Sequence, residues 1–210
     1  MNDLMKGLEN EKEFRKFLNN YRNYKFAEAE ESLRKLRNEG KIDRTYFYYL
    51  MAMLYCEQEN YKMALEFAEK AYESNSGNLD VDRIYAWALS SSSPHDKEKN
   101  RKALNIINKV IEQRNTEDID LFYDLNVKSH ILYRLGRIDE ARENINRTTL
   151  LFPDKNLPRF IQLLYEREDN ENNDKWFERL NKWYIILGII AAVVTIIIGL
   201  KTILVIWWLI

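Results

Sequence analysis

The side chains with the widest chemical range are few and scattered. Cys56 is the only cysteine, and the two histidines, His95 and His130, lie far apart in the chain. A reactive thiol needs a neighbouring base or cation to lower its pKa. The surroundings of Cys56, "LYCEQ", offer neither, so an inert buried thiol is expected. Neither histidine has a ligand partner at metal spacing. His95 reads as an exposed residue in the first turn of a helix, and His130 as a residue on a helix surface. Carboxylates are abundant but alternate with Lys and Arg, and Glu66 with Lys70 is an ordinary helical pair. No glycine-rich phosphate loop occurs. The expectation is a protein that is no enzyme, with no cofactor and no metal.

Recognition chemistry is richer. The chain holds 13 Tyr, 9 Phe and 5 Trp. Its net charge of −1 carries no basic excess for nucleic acid. Three prolines and six glycines in 210 residues favour helices to position those aromatics. Three stretches set the pattern: "NYKFAEAEESLRKLRNEG" from Asn23, "NYKMALEFAEKAYESNSG" from Asn60 and "GRIDEARENINRTTLLFPDKN" from Gly136. Each opens at a turn residue, continues with Phe26, Tyr61 or Ile138, and places an alanine three further on: Ala29, Ala64, Ala141. A weaker copy, "NRKALNIINKVIEQRN", carries Ala103, so the four alanines are spaced 35, 39 and 38 residues apart.

A period of that size built from helix pairs predicts a stacked solenoid. A first helix is expected before each of these second helices: "EKEFRKFLNNYR", "DRTYFYYLMAMLYCEQ", "LDVDRIYAWALSS" and "DIDLFYDLNVKSHILYRL". Ala52, Ala86 and Ser129 are small residues at mid-helix, where helices approach closely, and Gly40, Gly77 and Gly136 fall at turns. In "SSSSPHDKEKN" the expectation is a bend at Ser90–Ser92, Ser93 as a helix cap and Pro94 in the first turn.

This pattern resembles the tetratricopeptide repeat family over roughly Asn10 to Asn156. The family's terminal proline survives as Pro153; its early tryptophan and leucine-glycine pair are not kept. The resemblance implies an all-α helical-hairpin solenoid of about four repeats, whose first helices line a groove. Groove positions would be Phe14, Leu18 and Tyr21 in the first unit, and Tyr46, Tyr49 and Met53 in the second. Arg83 and Trp87 follow in the third, and Tyr123, Asn126, His130 and Tyr133 in the fourth. Such a surface suits a protein or peptide partner, an apolar helix or an extended segment, and leaves homo-oligomerisation open. Some family members grip a carboxylate with lysine and asparagine. Here the corresponding first-unit places are the apolar Phe14 and Leu18, which disfavours that partner.

Beyond the repeats, residues 157–174 read as a capping helix ("RFIQLLYERE") and a polar hinge, and 175–182 as a juxtamembrane segment. Residues 183–210, "WYIILGIIAAVVTIIIGLKTILVIWWLI", hold a single charge, Lys201. As a helix they would reach about 42 Å, enough for a bilayer core of about 30 Å. Trp183 and Tyr184 would mark one interface, with Trp207 and Trp208 at the other and Lys201 snorkelling near it. Lys175, Arg179 and Lys182 before the span predict a cytoplasmic N-terminal domain. The expected protein is a single-pass, tail-anchored scaffold or adaptor touching membrane lipid. The alternative is a regulatory or assembly subunit of a membrane complex, whose transmembrane helix recognises partners through Lys201.

Overall fold

The chain divides into two units, Met1–Leu157 and Pro158–Ile210. The computed structural model describes residue 8 and residues 10–156, which belong to the first. Those residues form eight α-helices and no strand: α1 (Lys12–Arg22), α2 (Phe26–Asn38), α3 (Arg44–Glu57), α4 (Tyr61–Ser74), α5 (Leu79–Ser92), α6 (Lys97–Gln113), α7 (Ile119–Arg134) and α8 (Ile138–Leu151). The eight helices expected for the repeats are present. Short polar residues start most of them by accepting the free N–H groups of the first turn. Asp43 caps α3, Asn60 caps α4, Asn78 caps α5, Asp96 caps α6 and Asp118 caps α7.

Three of the four hairpins share one turn. Tyr24, Glu59 and Gly136 take left-handed φ values of 57°, 57° and 75°. In each case the next N–H donates to a carbonyl five residues back: Lys25 to Asn20, Asn60 to Tyr55 and Arg137 to Leu132. This is the geometry that ends a helix and reverses the chain. Only Gly136 has the residue type that favours it.

The α5–α6 hairpin is built differently, and the expected cap and bend are corrected here. Ser90–Ser92 remain helical, Ser93 ends α5, Pro94 and His95 form the turn, and Asp96 starts α6. The cause is Asn100, which is wholly buried. Its Nδ2 donates to the carbonyls of Asp96 at 2.8 Å and Ser93 at 3.2 Å, while its Oδ1 accepts from Ser90 Oγ. A side chain from α6 thus braces the turn, whose own backbone bond runs from the Asp96 N–H to the Ser93 carbonyl at 3.1 Å.

Packing follows the alanine register. Ala29, Ala64 and Ala103 are fully buried and Ala141 is 3% exposed. Ala52, Ala86 and Ser129 are fully buried in the partner helices. Consecutive helices pack throughout, and α3 also touches α5, which touches α7. No two even-numbered helices meet to that extent. The odd helices from α3 to α7 therefore form the closer-packed layer, which makes their free face the inner one of the array.

Candidate functional site: an ionic cluster on the inner helix face

Aligning α3, α5 and α7 on Ala52, Ala86 and Ser129 puts Tyr49, Arg83 and Asn126 at one level. Around that level lies the most polar part of the interior. Arg83 Nη2 is 3.1 Å from Asp80, and its Nη1 reaches Asp124 at 3.3 Å and Asp120 at 3.4 Å. Arg114, at the end of α6, donates from Nη2 to Asp80 at 2.7 Å and from Nε to Asp124 at 2.8 Å. Its Nη1 is 3.5 Å from Asp118. Two arginines thereby join α5, α6 and α7 through four aspartates.

Depth separates these carboxylates. The Asp124 side chain is 0% exposed and Asp80 3%, against 16% for Asp120 and 33% for Asp118. Removing one member of a buried ion pair costs about 3–5 kcal/mol, because the other is left uncompensated. Burial opposes the charge on Arg83, but Tyr49 and the carboxylates of Asp80, Asp124 and Asp120 outweigh it and raise the guanidinium pKa. Burial also pushes the Asp124 carboxyl up, and the two arginines offset part of that. Tyr49 is raised by burial to about 12, with Arg83 pulling the other way. Over the mouth of the cluster, the Tyr123 ring lies 5.7 Å from the Arg83 guanidinium and is 51% exposed.

The twelve groove positions fall into three groups. Phe14, Tyr46, Tyr49, Asn126 and His130 are buried, so their side chains serve the packing between helices. Tyr46 stacks on Tyr49 with centroids 5.9 Å apart. Leu18, Tyr21, Met53, Arg83, Trp87 and Tyr133 are half-buried, and Tyr123 alone is exposed. Tyr21 bonds to Glu57 of α3, and burial together with that carboxylate raises its pKa. His130 is not on a helix surface as expected. It is 9% exposed and accepts from Arg134 Nε at 3.1 Å. Burial, then the Arg134 charge, lowers its pKa to about 4. Cys56 is buried, and burial raises its thiol pKa. His95 is exposed but lies in the turn.

Asn126 differs from the rest of the buried set. It is 4% exposed, and neither amide oxygen nor amide nitrogen has a hydrogen-bond partner. Each such group costs about 1–3 kcal/mol when left unpaired.

Of this cluster the sequence reading singles out Arg83 alone. Asp80, Asp118 and Asp120 sit in the first turns or caps of helices, where acids are expected anyway. Asp124 carried a usable signal. In the aligned helices its position is Phe47 in α3 and Val81 in α5, so a carboxylate there must be buried.

Among the described residues no helix is long and apolar enough to cross a membrane, and no group of His, Cys, Asp and Glu could hold a metal ion. Trp183, Tyr184, Lys201, Trp207 and Trp208, and the capping segment 157–174, lie outside the described residues. No protein-family model matches the chain, and no curated protein matches its sequence.

Proposed function

We propose that this protein is a membrane-anchored interaction scaffold. Its four hairpins are degenerate tetratricopeptide-like repeats whose inner face binds a protein segment on the cytoplasmic side, and residues 183–210 are the anchor. The observation that carries the reading is the convergence of α3, α5 and α7 on one face bearing Arg83, Trp87 and Tyr123. A few aromatic and arginine side chains usually dominate an interface. The near-continuous apolar run from Trp183 supports the anchor. The absence of a reactive constellation from the sequence favours binding over catalysis.

The test is crosslinking and purification of the full-length protein from membranes in mild detergent, beside Trp87→Ala with Tyr123→Ala. The expected result is one defined partner, lost from the double variant at unchanged helicity. An undiminished partner would move binding off the inner face. Loss of that partner in Lys201→Leu alone would instead favour recognition through the transmembrane helix.

A further inference from the structure

We propose that the exposed face of α1 docks on an anionic lipid bilayer. Lys12, Arg15, Lys16 and Arg22 meet acidic headgroups there, and Tyr24 enters the headgroup layer. The inference rests on the membrane reading above and adds a second, peripheral contact with the lipid surface.

The first observation is how α1 divides its residues. At about 100° per residue, Lys12, Arg15, Lys16, Asn19 and Arg22 fall within an arc of about 120°. Phe14 and Phe17 lie on the opposite side and are buried. All five residues of the arc are exposed and none is acidic, whereas the exposed residues of α2, α4, α6 and α8 include both signs.

The acids nearest the arc are drawn away from it. Glu13 pairs with Lys35 at 2.8 Å and Glu11 with Lys41 at 3.1 Å. The hydrogen bond from Lys35 is the main cause of the lowered Glu13 pKa, with the charges of Lys16 and Lys12 well behind it. Arg15 donates to the Asn10 carbonyl at 3.4 Å. None of the four cations forms an ion pair with a described carboxylate. Their charge therefore faces outward along the helix.

Tyr24 supplies an independent indication. It follows the arc directly, between Arg22 and Lys25, and is 75% exposed. Its ring meets Phe26 edge-on with centroids 6.0 Å apart, which leaves most of it in water. The turn does not call for tyrosine, since a left-handed φ favours Gly or Asn. A membrane–water interface does favour it, because the ring is apolar and the hydroxyl stays wet. The cytoplasmic leaflet is negatively charged and attracts Lys and Arg held near it. A flat acidic bilayer thus suits both the cations and the ring.

The experiment places full-length Asn19→Cys, labelled with acrylodan, in two kinds of vesicle. One is phosphatidylcholine alone; the other is equal parts phosphatidylcholine and phosphatidylserine. Cys56 is buried with a raised thiol pKa, so the dye goes to position 19. Flotation reads the anchor, and the dye's blue shift reads docking of α1. The protein is expected to float with both vesicles and to shift blue only with the acidic ones. Raising salt from about 0.1 M to about 1 M shortens the screening length from about 10 to about 3 Å and should abolish the shift. Lys12→Gln should lower the docked-to-free ratio about fivefold. Tyr24→Asn, which suits the left-handed turn, should lower it too. Lys62→Gln, exposed on α4, should leave it unchanged.

Flotation with both vesicles but no blue shift would overturn docking and keep the anchor. Flotation with acidic vesicles alone, with the shift, would remove the anchor and keep docking. No flotation with either overturns both. A shift equal in the two vesicles, or one that survives high salt or Lys12→Gln, overturns the ionic basis. An equal shift from added polyuridylate or polyglutamate on neutral vesicles would assign the face to a soluble polyanion instead.

Discussion

Asp124 shows how one residue can hold a fold together without being visible as a functional group. Its carboxylate has no exposed surface and receives both arginines. Asp124→Leu should therefore destabilise the helical unit by about 3–5 kcal/mol, since Arg83 and Arg114 lose a buried counter-charge. Urea denaturation followed by circular dichroism measures it, and a loss below about 1 kcal/mol, the range of an exposed pair, would place the cluster in solvent. His130 makes a pH prediction. Its folded pKa of about 4 lies below the unfolded value near 6.5, so the unfolded chain binds more protons between them. Stability is then full above pH 6.5 and falls as pH drops towards 4, by about 3 kcal/mol at most. His130→Gln should flatten that part of the acid limb. An unchanged limb would mean that the imidazole is solvated.

At the scale of elements, the turns and close contacts give the sharpest tests. Gly136 has open space where a Cβ would sit, so Gly136→Ala suffers from its φ of 75° alone. The expected cost is about 1 kcal/mol. Glu59 adopts the same left-handed turn without being glycine. Glu59→Gly should raise stability by about 0.5 kcal/mol, the relief of backbone strain exceeding the added freedom of the unfolded chain. A fall in melting temperature for Glu59→Gly would show that the side chain matters more than the strain. Ala64 is wholly buried within α4, and Ala64→Leu should overpack it by about 1–3 kcal/mol. The helices themselves were legible in the chain, because their 3.6-residue periodicity and caps are local. The turns were less so. Tyr24 and Glu59 take a left-handed conformation that their residue types do not announce, and Asn100 bonds to a connection six residues upstream.

For the whole molecule, the proposed arrangement separates two kinds of chemistry along one chain. Full-length protein should stay with membranes under alkaline extraction, and a chain ending at Asp174 should be released from them while keeping its helicity. Release of the full-length protein would remove the anchor from the proposal. Composition and periodicity alone determined that the described residues would be helical, that alanines would sit at close contacts and that hairpins would recur, since each depends on residues within a few turns of one another. Which polar side chains would meet was decided only by tertiary structure. Asp80, Arg114 and Asp124 come from three helices, and Arg114 lies 34 residues from one partner and 10 from the other. The same holds for exposure. Tyr46, Tyr49 and Tyr123 share residue type and helical face, yet the first two are buried and the third is open. Periodicity gives the direction in which a side chain leaves its helix, but how much water remains there depends on how closely the neighbouring helices approach.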